Sequence, residues 1–112
     1  MKKEISWSDF EKIDIRVGTI LEAETFEKAR NPAYILHIDF GAELGVKKSS
    51  AQITEQYKPS DLIGKQVLAV VNFPPKQIAD MMSECLVLGV YTESGVVLLG
   101  TDKTVNNGGV VG

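Results

Sequence analysis

The alternation of apolar and polar residues predicts a protein made mainly of β-strands. Ile13, Ile15 and Val17 alternate with polar residues, a period of two that is typical of a half-buried strand. Gly18 falls within the same strand and predicts a bulge or a sharp bend there. In the segment 34–40, every second residue falls on one apolar face of a second strand. Further strands are predicted at 46–49, 67–71 and 85–90.

Two short helices interrupt this pattern. Ser6 followed by Asp9 is a capping-box sequence that begins an N-terminal helix. Ser49 followed by Gln52 predicts the start of a second helix, and Pro59 and Gly64 end that helix region. A helix between the third and fourth of five strands suits a five-stranded Greek-key barrel of the OB type. The predicted fold is therefore mainly all-β, an OB-fold barrel with a short N-terminal helix and a C-terminal extension.

Composition limits the class of protein. The 112 residues fit one domain, 1–112, with N- and C-terminal extensions to the barrel. The only cysteine, Cys85, cannot form an intramolecular disulfide, which favours a reducing compartment. No apolar run approaches the length of a membrane span. We therefore expect a cytoplasmic protein without membrane insertion.

The charge of the chain is unevenly distributed. Twelve Lys and Arg residues stand against fifteen Asp and Glu residues, a net charge of −3 that argues against a nucleic-acid partner. Residues 41–76, however, contain five lysines and three acidic residues. An OB barrel uses this part of its surface for oligonucleotides. The local excess of positive charge therefore favours a phosphate-bearing partner despite the overall charge.

Candidate RNA contacts cluster in and after the positive segment. Lysines attract phosphates, small hydroxyls can contact phosphate, and an amide side chain can bind a base edge or a 2′-hydroxyl. Phe73 or Tyr57 could stack on an unpaired base. Each residue also has a structural interpretation: solvated surface for the lysines, helix capping for the serines, and turn formation for the amide. The predicted RNA-binding residues are Lys47, Ser49, Ser50, Asn72, Lys76 and Ser83.

The sequence contains no catalytic or metal-binding arrangement. His37 alternates within a strand, and Cys85 enters an apolar strand, so both are predicted to be structural. No paired Cys or His residues have metal-ligand spacing, and no glycine-rich phosphate loop is present. We therefore predict no catalytic residues, no metal and no cofactor, and a protein that is not an enzyme.

Apolar residues near both ends of the chain predict a homodimer. A small barrel needs a partner surface to cover such residues. Phe10 could instead close one end of the barrel. The predicted dimer-interface residues are Trp7, Phe10, Val105, Val110 and Val111.

A set of motifs resembles the tRNA-binding domain shared by the C-terminal part of methionyl-tRNA synthetases and free-standing tRNA-binding proteins. The motif residues are Asp14 to Gly18, Gly41, Lys47, Tyr57, Leu62, Gly64, Lys65, Asn72 and Ser83. The segments 48–54, 70–75 and 83–89 are similar to the branch of export-related chaperones of the CsaA type. The resemblance implies an OB barrel that dimerises through both terminal segments and binds tRNA by its shape. The CsaA-type branch further implies affinity for unfolded preproteins and a link to the export machinery.

The resemblance also assigns residues. Lys47, Asn72, Lys76 and Ser83 fall on the positions that contact RNA in this family. The family commonly has a basic residue and a glycine where this chain has Ala79-Asp80, so Asp80 lowers the positive charge of the expected RNA edge. An apolar loop provides the alternative, a peptide-binding surface, with methionines of the kind found at promiscuous sites. The predicted peptide-binding residues are Phe73, Pro74, Met81 and Met82.

Overall fold

The structure, a computed structural model, describes residues 1–112. Two short helices are α1 (Trp7–Glu11) and α2 (Pro59–Leu62). The first five strands are β1 (Ile15–Thr25), β2 (Tyr34–Asp39), β3 (Val46–Ala51), β4 (Gln66–Val70) and β5 (Lys76–Ile78). The other four are β6 (Met81–Ser83), β7 (Leu86–Val87), β8 (Gly89–Thr92) and β9 (Gly95–Leu98). Both helices are too short to span a membrane.

The main sheet confirms the predicted fold. Its strand order is β3-β2-β1-β4-β7, and all four neighbouring pairs are antiparallel. Three strands joined in sequence, followed by a fourth that returns beside the first, form a Greek key. The sheet curls until β3 and β7 lie close together, which gives a nearly closed five-stranded barrel of the OB type.

The inner face of β2 forms the centre of the core, as its alternation predicts. Leu36 and Ile38 are completely buried, while Ile35 and His37 between and beside them are only half-buried. Phe40 follows directly after the strand and is also buried. The core cluster consists of Ile20, Tyr34, Leu36, Ile38, Phe40, Ala51, Ile53, Leu62, Val67, Ala69 and Cys85.

Gly18 has a different role from the predicted one. The β-bulge in β1 lies at Leu21, because the register with β2 shifts between Ile20 and Glu22. At Gly18 a β-carbon would lie 2.5 Å from Cγ2 of Ile38 and 2.8 Å from the ring of Phe40. Glycine is therefore required at this position because the core packs directly against its backbone.

The predicted second helix was wrong in position. Residues 52–58 are not helical and contain a turn at 54–56, and α2 begins at Pro59, one of the two residues predicted to end the helix region. Proline suits the first helical position because its missing N–H has no partner there in any case. The Asp61 carboxylate accepts a hydrogen bond from the Lys58 backbone N–H at 3.2 Å. At the N-terminus, the predicted capping box of Ser6 and Asp9 is confirmed.

Strand boundaries after β4 also differ from the prediction. The segment 75–83, predicted as a connection, contains the hairpin of β5 and β6. The segment 85–90 is divided between β7, which pairs with β4, and β8, which pairs with β9. The change of partner occurs at Gly89, where a β-carbon would lie 2.5 Å from Cγ1 of Val96. Glycine at this position allows β8 and β9 to lie this close together.

The C-terminal segment packs along the first half of β1. The Val17 N–H donates to the Gly109 carbonyl at 3.0 Å, and the Val111 N–H donates to the Ile15 carbonyl at 2.9 Å. The β2 strand pairs with β1 only from Thr19 onward, so this edge would otherwise be open. The C-terminal segment thus covers an edge of the barrel.

Candidate functional site

Side chains and backbone of residues 83–85 bridge the gap between β3 and β7. The Ser50 N–H donates to Oγ of Ser83 at 3.1 Å, and the Lys48 N–H donates to Oε1 of Glu84 at 2.9 Å. The Glu84 N–H in turn donates to the Lys48 carbonyl at 2.8 Å. These bonds satisfy the exposed edge of β3 without a continuous strand pair. Ser83 therefore has a structural role whether or not it also contacts a ligand.

Next to this bridge lies a groove of about 250 Å³, which we call the β3 groove. Its walls come from the end of β3, the loop after β4, the β5–β6 hairpin and the segment before β7. Five of the residues predicted from sequence line it together: Ser50, Phe73, Pro74, Lys76 and Ser83. Three of the predicted RNA-binding residues and two of the predicted peptide-binding residues thus line the same groove.

An apolar extension continues the β3 groove along the barrel. A second cavity of about 310 Å³ shares Ser50, Gln52 and Leu86 with it and reaches the β8–β9 hairpin. Tyr91, on this hairpin, is 92% exposed. The combined surface offers polar contacts at one end and apolar contacts at the other.

Two predicted site residues are corrected by the structure. Ser49 is only 1% exposed, and its hydroxyl donates to the Cys85 carbonyl at 2.9 Å inside the barrel. Met81 is also buried, in a small cluster with Phe26 and Ala33. Neither side chain can reach a ligand at the surface. Both errors arise because residues that alternate along a strand point to opposite faces, and these two point inward.

Lys47 and Lys48 lie on opposite faces of β3. Lys48 is exposed, whereas Lys47 is half-buried on the face that also carries Ser49. Burial raises the pKa of the Cys85 thiol to about 11, and the nearby positive charge of Lys47 partly opposes this shift. Lys47 is not among the residues that line the β3 groove, and its contact with RNA stays a prediction.

Asn72 is engaged by the chain itself. Its Oδ1 accepts a hydrogen bond from the Asp14 N–H at 2.9 Å, and its Nδ2 donates to the Lys12 carbonyl at 2.7 Å. These bonds join the end of β4 to the segment before β1. They hold the start of the loop that carries Phe73, which is 54% exposed. Contact between Asn72 and RNA stays a prediction.

The acid that opposes RNA binding is paired. Asp80 lies 2.8 Å from Nζ of Lys28, and this hydrogen bond lowers the pKa of Asp80 and raises the pKa of Lys28. Ala79, beside it in the hairpin turn, adopts a left-handed φ of 52°. In contrast, none of the five lysines of residues 41–76 lies within 4.0 Å of a carboxylate. The positive charge of this segment is therefore uncompensated by neighbouring ion pairs.

Other residues of the β3 groove were not predicted from sequence. Leu86 lies within an apolar run, which predicts a position in the core, but it is 50% exposed. Gln52 and Ile78 also line the groove. Side chains alternate between the two faces of a strand, and this alternation at 85–88 was the only signal in the sequence that Leu86 points outward.

The predicted interface residues are largely exposed in the single chain. Trp7 is 70% exposed and Val110 is 72% exposed. The Trp7 and Phe10 rings lie 5.5 Å apart between centroids, and no residue of α1 is buried. Phe10 therefore does not fill the barrel interior, and its place in a dimer stays a prediction.

Comparison with known proteins identifies the family. The sequence model of the family described as "Putative tRNA binding domain" matches residues 15–109. The chain is 37% identical over 105 residues to a methionine–tRNA ligase of Methanococcoides burtonii, covering 93% of this chain and 15% of the ligase. The chain thus spans about a seventh of the length of this curated relative.

Solved structures give closer matches. A CsaA chaperone from Bacillus anthracis is 51% identical with a TM-score of 0.92, covering 98% of this chain and 100% of the other. A CsaA chaperone protein from Picrophilus torridus is 53% identical with a TM-score of 0.93, covering 97% and 100%. The family match, the barrel and these neighbours agree with the resemblance inferred from the sequence motifs. The chain belongs to the family of tRNA-binding domains.

Proposed function

We propose that this chain is a non-catalytic module that binds tRNA along the β3 groove, through phosphate contacts and recognition of shape. The observation that carries the proposal is the convergence of Lys76, Ser50 and Ser83 with exposed Phe73 at one groove of a tRNA-binding-family barrel. Lys47, on the other face of β3, is proposed as a second phosphate contact outside the lining of this groove. We place this activity in the cytoplasm.

The chemistry of the groove supports this function. Lysines without carboxylate partners contribute their full attraction to phosphates, and binding releases counterions from the RNA. The exposed ring of Phe73 can stack on an unpaired base. The Lys28–Asp80 pair leaves little net negative charge on the β5–β6 hairpin. The overall charge of −3 therefore does not govern the potential at this surface.

Replacing both lysines should weaken tRNA binding. We expect the variant Lys47→Ala/Lys76→Ala to bind tRNA about tenfold more weakly at low salt. Its plot of log K against log salt should be shallower by about 1.5 to 2, because two phosphate contacts are lost. Fluorescence titration at several salt concentrations measures both quantities.

The matched control removes two lysines elsewhere. Lys2→Ala/Lys3→Ala makes the same change in net charge in the exposed N-terminal segment. If the control and the groove variant had equal affinity and equal salt slope, the site assignment would be wrong. Circular dichroism of each variant establishes that the barrel remains folded.

As a second function we propose chaperone-type binding of unfolded preproteins before export, which is favoured by exposed apolar side chains of the loop after β4, the β5–β6 hairpin and β7. Phe73, Met82 and Leu86 are each between 44% and 54% exposed, a concentration of apolar surface that a monomeric protein rarely leaves uncovered. The matched structures from two organisms carry the name CsaA chaperone. The partners proposed for this second function are unfolded preproteins and the export machinery.

Competition should show whether the two ligands share the β3 groove. We expect a permanently unfolded, reduced polypeptide to displace bound tRNA from the wild-type chain. The variant Met82→Ala/Leu86→Ala, which keeps the Phe73 ring for RNA, should resist displacement about tenfold more than wild type, since two apolar contacts to the polypeptide are worth roughly 1 kcal/mol or more. Two results together would reject the second function. The polypeptide would fail to displace tRNA at any ratio, and a denatured client protein would aggregate equally in the presence of the wild-type chain and of the variant.

The proposed assembly is a homodimer through α1 and the C-terminal segment. The exposed Trp7 and Val110 provide the apolar surface that such an interface would bury. Two β3 grooves on one dimer would raise the affinity for a single tRNA by avidity. Light scattering of the chain at about 10 μM measures the assembly, and a mass of one chain would contradict it.

A further inference from the structure

A second concave site lies at the opposite end of β4 from the β3 groove. It is a cleft of about 330 Å³ between residues 64–67 and the loop 98–104, with Tyr57 on one side. We call it the Gln66 cleft. Since β4 rises about 3.3 Å per residue, this cleft and the loop after Val70 lie about 13 Å apart along the strand.

One wall of the Gln66 cleft is held rigidly by Gln66. The Nε2 group donates to the Val105 carbonyl at 2.7 Å and to Oδ1 of Asn107 at 3.2 Å. The Oε1 atom accepts from the Val105 N–H at 3.0 Å and from the Thr101 hydroxyl at 3.2 Å. Every hydrogen-bonding position of the amide is therefore used within the chain. The loop is fixed in place before any ligand arrives, which lowers the entropic cost of binding.

The loop that lines the cleft has backbone N–H groups without a partner in the chain, and the cleft is lined by unpaired positive charge. The backbone N–H groups of residues 100–104, five in succession, donate no hydrogen bond within the chain. Lys65 and Lys103 both line the cleft, and neither lies within 4.0 Å of a carboxylate. Asp102 is the only acidic residue in the lining. Clusters of backbone N–H groups beside cationic side chains bind anions, above all phosphate.

We propose that the Gln66 cleft binds a phosphate group, carried either by a small phosphorylated molecule or by an RNA backbone. Lys65 and Lys103 supply the charge, and the N–H groups of the loop 100–104 supply hydrogen bonds to the phosphate oxygens. Tyr57, Leu98 and Leu99 give the cleft an apolar side, against which the rest of the ligand would lie. Its volume falls within the range of small-ligand sites. None of the predicted RNA-binding residues lines this cleft, so the proposal does not rest on the tRNA function.

Titration of the full chain with inorganic phosphate and pyrophosphate tests the site, observed by ¹H–¹⁵N NMR. We expect saturable shifts of the amide signals of Gly100, Thr101 and Lys103. The variant Lys65→Gln/Lys103→Gln should weaken binding about tenfold, because two screened charge contacts are lost. Asp102→Asn should tighten binding about two- to fivefold, since it removes the one repulsive charge.

The control variant is Lys2→Gln/Lys3→Gln, which makes the same charge change outside the cleft and should leave the affinity unchanged. Unchanged signals from the core strands show that each variant is folded. Equal affinity of wild type and Lys65→Gln/Lys103→Gln, or no saturable shift up to about 20 mM of either anion, would overturn the proposal.

A further arm distinguishes the two sources of phosphate. A short RNA oligomer that shifts the same three amides identifies the RNA backbone as the source. Shifts with pyrophosphate but none with RNA identify a small phosphorylated molecule. The variant Lys47→Ala/Lys76→Ala should keep the pyrophosphate shifts. Loss of tRNA binding in this variant and loss of phosphate binding at the Gln66 cleft are therefore separate results.

Discussion

Gly18→Ala is expected to lower the free energy of unfolding by about 3 kcal/mol, near the upper end of the usual cost of overpacking. The added methyl group would lie 2.5 Å from Cγ2 of Ile38 and 2.8 Å from the Phe40 ring. Both neighbours are essentially fully buried, at 0% and 1% exposure, so neither can move into solvent. Urea unfolding followed by fluorescence or circular dichroism measures the change in midpoint.

Two comparisons isolate the steric cause. Gly45→Ala also places a methyl group on a glycine, but nothing lies within 4 Å of it and the cost is only that of a left-handed φ of 74°. This variant should lose about 1 kcal/mol. Ile38→Leu removes the clashing Cγ2 methyl, so the effect of Gly18→Ala should shrink by about 1 kcal/mol in that background. An equal loss in Gly18→Ala and Gly45→Ala would show that backbone conformation, not packing, explains the glycine.

The second large effect is a loss of stability at alkaline pH that depends on Cys85. Burial raises the pKa of its thiol to about 11, against 9.0 for an ordinary thiol. In the unfolded chain the thiol therefore ionises first, and the folded state binds more protons between these two values. The stability is complete below about pH 9 and is lost as the pH rises towards 11. We expect a loss of about 2 kcal/mol between about pH 8 and pH 10.5 from this group alone.

Cys85→Ala separates this contribution from those of tyrosines and lysines, which ionise over the same range in both chains. The variant should be less stable than wild type below about pH 9 because a buried side chain is shortened, but its decline above about pH 9 should be shallower than that of wild type. Urea unfolding at a series of pH values gives both curves. Parallel curves would mean that the thiol is not protected from ionisation in the folded state.

The features predicted correctly from sequence are local. The alternation at 34–40 identifies the inner face of β2 because successive side chains of a strand point to opposite sides. Ser6 and Asp9 form the predicted capping box because the two residues are three positions apart and interact within one helical turn. Both predictions depend on contacts between near neighbours in the chain.

The incorrect predictions involve residues whose role depends on distant partners. Ser49 was predicted to cap a helix or contact phosphate, but its hydroxyl donates a hydrogen bond to the carbonyl of Cys85, 36 positions away. The effect of Asp80 on RNA binding stays a prediction, and its partner Lys28, 52 positions away, could not be identified from the sequence either. Gly18 was predicted to mark a bulge, whereas the requirement for glycine comes from the side chains of Ile38 on β2 and Phe40 directly after it. No local pattern specifies these partners.

The sequence by itself determined the strand-rich barrel, the N-terminal helix and the family motifs, because periodicity and spacing are properties of the chain. It also placed the excess of positive charge in residues 41–76. Only the tertiary structure brought Ser50, Phe73, Lys76 and Ser83 to one groove and turned Ser49 and Met81 inward. The Gln66 cleft likewise exists only because Gln66 holds a loop some 40 positions away. The physical reason is that ligand sites form where edges, loops and hairpins meet in space, and the curl of the sheet decides which of them meet.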